Sequence, residues 1–398
     1  MNKVIFILPG ALPVPNVKGG AVETLVQMLI DENEKMNDFE FYIFSPYDFS
    51  AKASSSKYLN SKFVFIDQSK WQYRIKKIIF SLFNRFTGLY VGNQFIRCVT
   101  KKILEMDFVN HVFVVENSPE YALTIRKHFP HSKIIQHIHN SYLFDGYRRR
   151  DKILKDTNAI FCVSNYVRNG IMKAGSGRCL LKLLYNGIDT KKFCGNISKS
   201  QKDLLRLRLG IAVDRFVFIF SGRLVKHKGI LELIEAFKFL SRRYCFLTLL
   251  IVGSGPIEKE KQELRDSLGE VIFLGRVDYN RIQDIYQAAD AAVVPSTWEE
   301  PFGLTCVEAL CSGLPTVVTD SGGMLEIIDE DSAVVAKKGD ELAKNLEISM
   351  EKIIINKNLR ERLSRKARKR GEIFSLSNYW LNFSRETKKI IKDNEIAF

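Results

Sequence analysis

The sequence predicts an α/β protein of two doubly wound domains, and three observations carry that prediction. Apolar runs of about four to seven residues recur along the chain, and they are continuous rather than alternating, which marks strands buried on both faces. Helical patterns separate these runs almost throughout, the order expected of parallel sheets covered by helices. A polar stretch without apolar period, CGNISKSQKD at 194–203, divides the runs into two sets, and 398 residues suffice for two cores.

Taken in order, the first set of strands is VIFIL, FYIF, FVFI, VFVV, KIIQHI, AIFCV and LKLLY. The second is FVFIF, FLTLLIV, VIFLG, AAVVP, PTVVT and SAVVA. The domains are therefore placed at 1–195 and 205–376, with a last helix at about 377–398 packing back on the first. The opening MNKVIFILPG has a lysine before an apolar run, as a secretory leader does. The run ends at Pro9 with no small-residue cleavage pattern, so it is read as the first strand. In sheets of this kind ligands gather at the carboxyl ends of the strands, so the loops that follow each strand are where chemistry is sought.

Composition narrows the classes. An apolar share of 46% is ordinary for a globular chain, but the formal charge of +15 points to an anionic partner: nucleic acid, a membrane surface or a phosphorylated substrate. The seven cysteines show no metal-ligand spacing and are read as reduced core residues of a cytoplasmic protein. The longest apolar run, YCFLTLLIVG, is far too short to span a bilayer.

Four strand-end loops hold the candidate chemistry. SGRLVKHKG places Arg223 and Lys228 among glycines after the first strand of the second domain, a setting suited to an anion, although in so basic a chain it also reads as a solvated loop. LIVGSGP supplies another glycine turn that is weak by itself. LPVPNVKGGAVETL puts Gly19 and Gly20 ahead of a helix, in a pattern that fits neither a dinucleotide fingerprint nor a P-loop. In WEEPFGLTCVEAL, Glu300 and Glu308 flank a helix start near Phe302, and Glu308 falls on the apolar stripe with Leu304, Val307 and Cys311. A buried carboxylate needs hydrogen-bond donors. A bare phosphate between two glutamates would be repelled, whereas a ligand with hydroxyls at both ends and a pyrophosphate between them satisfies carboxylates and cations alike. That ligand is a nucleotide-sugar. The alternative is structural: Glu300 caps its helix and Glu308 pairs with a buried cation.

The chain resembles the retaining glycosyltransferases of family 4, with the GT-B fold of two Rossmann-like domains facing across a cleft. The resemblance rests on KGGAVETL, HIHNS, CVSNYVRNGI, YNGIDTKKF, SGRLVKHKG, VGSGP, FLGRV and EEPFGLTCVEALCSGLPTVVTDSGG. The spacing of Glu300 and Glu308 matches the family's E-x7-E motif. The resemblance implies that Glu300 contacts the donor sugar and Glu308 the ribose hydroxyls. Backbone at Phe302, Gly303 and Leu304 would line sugar and diphosphate, Arg223 and Lys228 would hold the diphosphate, and Val277 would sit near the base. Gly19 and Gly20 would let their loop approach the donor. His139 would contact the donor sugar near its reacting carbon. Two departures stand out: YNGID lacks a proline often found before its Asn-Gly, and Pro301 stiffens the WEEPFG loop. His137 and His139, two apart on a strand, share a face and formally permit a metal pair, but no third ligand is evident from the sequence.

The implied reaction is front-face displacement of the diphosphate by an acceptor hydroxyl, without a carboxylate nucleophile and without a cofactor. The chain is read as lacking an Asp-x-Asp metal–diphosphate motif, so Arg223 and Lys228 replace the cation and activity is expected to be metal-independent. A UDP-hexose donor and a saccharide or lipid-linked saccharide acceptor of bacterial surface polysaccharide synthesis are expected. A nucleotide-sugar 2-epimerase of the same architecture and a basic nucleic-acid-binding module are the alternatives, the latter without a recognisable motif. Finally, residues 69–102 contain no acid, and Lys70, Arg74, Lys76, Lys77 and Arg85 are interleaved with Trp71, Tyr73, Ile78, Ile79, Phe80, Leu82, Phe83 and Phe86. This composition predicts an interfacial helix at the inner face of the plasma membrane, with Lys76, Lys77 and Arg85 toward anionic lipid. The competing readings are core aromatics with solvated cations, and a patch for an anionic saccharide acceptor.

Overall fold

The computed structural model describes residues 2–87, 90–106, 111–195, 197–257 and 270–392. The chain forms two compact units, one holding the chain up to Gly187 together with the segment from Ser377, the other Ile188–Leu376. In the first unit seven strands run β1 (Asn2–Ile7), β2 (Phe39–Pro46), β3 (Ser61–Ile66), β4 (His111–Glu116), β5 (Lys133–Ile138), β6 (Ala159–Cys162) and β7 (Leu180–Leu183). Their order across the sheet is β3-β2-β1-β4-β5-β6-β7, with every pairing parallel. In the second unit β8 (Phe216–Ser221), β9 (Leu247–Val252), β10 (Glu270–Gly275), β11 (Ala291–Val294), β12 (Thr316–Thr319) and β13 (Ala333–Ala336) lie in the order β10-β9-β8-β11-β12-β13, again all parallel. These are two doubly wound α/β sheets, as the continuous apolar runs predict. The order in which strands are added reverses at β1/β4 in one sheet and at β8/β11 in the other, which opens a crevice at the carboxyl edge at each point.

The cores follow from that patterning. Ile5, Ile7, Phe44, Phe113 and Val115 of the first sheet pack with Ile96, Val99 and Ile125 from its helices. Phe218, Leu249, Ile251, Val293 and Val317 of the second pack with Leu233, Phe237, Leu346 and Met350. The last helix, Leu376–Lys392, lies on the first unit: Phe383 stacks on Phe6 at 5.8 Å, Trp380 meets Phe39 and Phe41, and Asp38 accepts from Ser384 and pairs with Lys388. Residues 393–398 of the expected terminal helix lie outside the described residues.

The polar stretch 194–203 is not a linker. The unit boundary falls earlier, at Gly187/Ile188, and Lys199–Arg208 is a helix of the second unit opened by a Ser198/Gln201 capping box. Its buried anchor is Arg206, which donates to the carbonyls of Ala288, Val213 and Arg215 and pairs with Asp290 at 2.6 Å. A helix held by a guanidinium rather than an apolar stripe leaves no periodic signal. The crossings at Ile188 and Leu376 are instead tied together by backbone bonds from Ile188 to Phe374 and from Leu376 to Ile188.

Candidate functional site

In the second unit the loops that follow β8 and β11 meet at the point where strand order reverses. A glycine is required there: Gly229 has φ +69°, and a Cβ added to it would lie 1.8 Å from the Pro295 carbonyl oxygen. Thr297 N–H donates to the His227 carbonyl at 3.1 Å, and the His227 ring lies 5.1 Å from Trp298. Lys228 sits 5.5 Å from the Trp298 ring centre and is ion-paired with Glu300, which also accepts from Ser296 Oγ at 2.5 Å. Arg223 is exposed and makes no ion pair among the described residues.

The loop carrying Glu300 is braced from behind. Ser321 Oγ donates to the carbonyls of Ser296 and Trp298, and Gly323 N–H donates to the Glu300 carbonyl at 2.7 Å. The next helix is Leu304–Cys311, capped by Gly303 at φ +121° with no side chain satisfying its first N–H groups. Its free amino end is a partial positive charge at the carboxyl edge of the sheet. The Phe302 side chain is buried against Phe374 at 5.6 Å, so only its backbone is available to a ligand. Glu300 therefore does not cap this helix; the lysine and serine hold it.

Glu308 sits inside this helix and is 9% exposed. What donates to it is the Tyr286 hydroxyl, at 3.1 Å, with Lys192 adding a weaker attraction. Burial outweighs both and raises the carboxyl to about 7. Lys192 donates to Asn280 at 3.1 Å and lies 4.3 Å from the Tyr279 ring, whose buried hydroxyl has no partner among the described residues. Tyr279 follows Val277 in the loop after β10, two strands along the same edge from β8, roughly 10 Å by strand spacing. The edge thus runs from a cation–carboxylate cluster to a half-satisfied carboxyl beside an unpartnered hydroxyl, over a length that suits a nucleoside diphosphate.

Asp329 and Asp331 do form an Asp-x-Asp, contrary to the sequence reading. They lie in the turn before β13, at the amino edge of the sheet, where Arg362 and Lys366 pair with Asp331. The carboxyl-edge site is on the other side of the sheet.

In the first unit the carboxyl edge at β1/β4 carries a second polar cluster. Glu116, the last residue of β4, is fully buried and faces two imidazoles: His137 Nδ1 at 3.2 Å and His139 Nε2 at 3.0 Å. The two rings are 4.0 Å apart. Glu116 is thus a third group beside the histidine pair, invisible from the sequence because it comes from another strand; the three are the one such potential metal-ligand set among the described residues. Burial alone would raise the Glu116 carboxyl, but the two rings hold it near 2, whereas burial and His137 push His139 down to about 4. Gly20, at φ +112°, opens the helix Ala21–Met36, and a Cβ there would lie 2.1 Å from Glu23 Oε2. Gly20 therefore makes room for Glu23, whose carboxyl is raised by burial and by the neighbouring charge of Glu116.

The family described as Glycosyl transferases group 1 matches residues 201–370, which include Arg223, Lys228, Glu300 and Glu308. Most of the second unit is thus similar to the group 1 glycosyl transferases. The chain is 33% identical over 219 residues to an uncharacterized glycosyltransferase of Methanocaldococcus jannaschii, a match covering 53% of this chain and about half (54%) of that relative. It is 25% identical to the lipopolysaccharide 1,2-N-acetylglucosaminetransferase of Salmonella typhimurium across 82% of this chain and 83% of that one. The solved structure of Anabaena HepE in complex with UDP-glucose shares the fold, with a TM-score of 0.74 at 18% identity over 97% and 99% of the two chains.

Elsewhere in the chain, the basic segment divides in two. Residues 88–89 lie outside the described residues. Gln94–Leu104 is a helix that buries Phe95, Ile96, Val99 and Ile103 in the core. Trp71–Phe86 is a second helix that does the reverse. Trp71, Ile75, Ile78, Ile79, Leu82, Phe83 and Phe86 share one face at helical spacing, and all are exposed, from 43% at Phe83 to 81% at Phe86. The opposite face holds the helix on the unit through buried Tyr73, Phe80 beneath Arg97 at 4.2 Å, and Asn84, which bonds the backbone of Val91 and Gly92. Lys76, Lys77 and Arg85 are exposed. The aromatics do not fill the core, with Tyr73 the exception and Phe80 half-buried. Among the described residues no helix is long and apolar enough to cross a membrane. One cysteine, Cys245, is exposed rather than a core residue.

Proposed function

We propose that this protein is a glycosyltransferase that moves a hexosyl unit from UDP-hexose to a saccharide or lipid-linked saccharide of a bacterial surface polysaccharide, with retention at the anomeric carbon. One observation carries the reading: cations and carboxylates share the carboxyl edge at β8/β11, with Lys228 against Glu300 and the raised carboxyl of Glu308 further along. A pyrophosphate flanked by hydroxyl-bearing sugars meets each of these groups with its own complement. The UDP-glucose bound to HepE and the lipopolysaccharide substrate in the Salmonella relative's name support the donor and acceptor classes.

In the reaction the bond from C1 of the sugar to the diphosphate oxygen breaks, and the acceptor oxygen bonds C1 from the same face. The acceptor's proton passes to the departing diphosphate. Lys228 and Arg223 stabilise the charge that grows on the leaving group, so the chemistry is proposed to run without a divalent metal or other cofactor. Donor binding would draw Lys228 from Glu300 to phosphate and leave Glu300 to accept from a sugar hydroxyl. His139 is assigned to a hydroxyl of the donor sugar, Gly19 and Gly20 to the loop admitting the donor. Thermal stabilisation across a panel of UDP-, GDP- and ADP-hexoses tests the assignment: UDP-hexose should stabilise most, and no response to any of them would remove it.

The same reading places the enzyme on the cytoplasmic face of an anionic membrane. The exposed apolar face of Trp71–Phe86, with cations beside it and no acid anywhere in 69–102, has the complementarity of an interfacial helix.

A further inference from the structure

The cluster at the carboxyl edge of β4 and β5 contains more order than a buried histidine needs. Glu116, ionised, can only accept hydrogen bonds, so each ring nitrogen facing it must carry a proton. His139, held neutral, then has its hydrogen on Nε2 and a bare lone pair on Nδ1. That Nδ1 atom is buried and, like His137 Nε2, has no partner among the described residues. The main-chain N–H of His139 is meanwhile held by Asn117 Oδ1 at 3.3 Å, so backbone and ring are both fixed. An unpartnered acceptor inside a protein is costly unless something donates to it.

We infer that Glu116 is a positioning residue: it locks His139 in the Nε2–H tautomer and so leaves Nδ1 as the acceptor for a hydroxyl of the sugar substrate. This rests on the proposed transferase reading for the identity of the ligand, though not for the tautomer. The groups facing His139 are Glu116 from β4 and His137 from β5; Glu23 from the helix after β1 and Tyr379 from the last helix face Glu116 and His137 beyond. Among the described residues, Glu116 alone meets the His139 ring as a hydrogen-bond acceptor. Both rings approach Glu116 Oε2 most closely. Glutamine at 116 keeps the shape but removes the charge that holds both ring hydrogens toward that oxygen, and an amide nitrogen in its place obliges the rings to reverse their tautomers.

NMR of isotope-labelled histidine rings in the full chain reads this directly, with His139 assigned through His139→Ala. The Nε2–H tautomer is expected for His139 in the unmodified protein near neutral pH, and a reversal at His137 or His139 in Glu116→Gln. An Nδ1–H tautomer or an imidazolium at His139 in the unmodified protein would overturn the inference, and this arm does not need the variant to fold. In the activity arm, kcat/KM for sugar transfer should fall about ten- to a hundredfold in Glu116→Gln. The same change in a His139→Ala background should have little further effect, because Glu116 acts through that ring. Additive losses would make Glu116 merely structural and overturn its positioning role. If no nucleotide-sugar is turned over at all, the transferase reading fails while the ring spectra still decide the role of Glu116.

Discussion

Lys228 on the loop after β8 is ion-paired with Glu300 on the loop after β11, so the cation assigned to the leaving diphosphate and the carboxylate assigned to the sugar neutralise one another. The pair keeps a half-buried ammonium and a buried carboxylate satisfied, and it also sets both groups where a sugar diphosphate would separate them. Replacing Lys228 by alanine should therefore lower turnover more than donor affinity, because the lost interaction grows as the diphosphate departs. Steady-state kinetics with saturating acceptor will show it. An effect confined to KM would count against that role.

Glu308 should make stability depend on pH in an unusual direction. Its carboxyl is raised from the ordinary 4.5 to about 7 by burial, so between those values the folded chain binds more protons than the unfolded one, and stability falls as pH rises. Glu308→Gln removes that penalty and keeps an acceptor for the Tyr286 hydroxyl. The variant should be about as stable as the parent at the acid end and more stable by about 2–4 kcal/mol above pH 8. Urea denaturation of both chains across this range checks it; parallel curves would mean that Glu308 is not titrating there. Donor affinity should nevertheless fall, since an amide accepts less strongly than a carboxylate from ribose hydroxyls.

Gly229 joins the two loops of the site. Alanine there would combine a left-handed backbone with a methyl group 1.8 Å from the Pro295 carbonyl oxygen. Gly229→Ala should cost at least about 2 kcal/mol of stability and loosen Lys228 and Glu300 together. Calorimetry and nucleotide binding on the same variant will tell. Gly210, with nothing near its Cβ position, serves as a control with the backbone effect alone.

The exposed face of Trp71–Phe86 predicts lipid binding that rises with anionic lipid and falls with salt. Reversing Lys76, Lys77 and Arg85 to glutamate should abolish flotation with anionic vesicles, since each cation near such a surface contributes about 1 kcal/mol. Unaltered flotation of the triple variant would contradict the electrostatic part. Failure of the parent to float at all would return the helix to the competing view, a site for an anionic saccharide.

Much of the fold was legible in the residues. Each quoted apolar run corresponds to one strand of the two sheets, because parallel strands buried on both faces leave uninterrupted signals. The helix Lys199–Arg208 was not legible, since its anchor is the single guanidinium of Arg206. For the site, Arg223, Lys228, Glu300 and Glu308 are visible as strand-end residues, but the partners that set their states are not. Tyr286 and Lys192 reach Glu308 from other elements, Ser296 meets Glu300 through a turn of their shared loop, and Glu116 meets His139 from the neighbouring strand across 22 intervening positions (116 to 139). Contacts between elements are set by sheet order, and no local pattern encodes them.

Retention of UDP-hexose configuration is the central claim, and the anomer of the first product tests it most directly. With a UDP-α-hexose donor, NMR of the anomeric proton during early turnover, in the presence of EDTA, should show the α-configured product before any mutarotation. A β-configured product, a strict need for divalent metal, or conversion of the donor to an epimer with no acceptor present would contradict it.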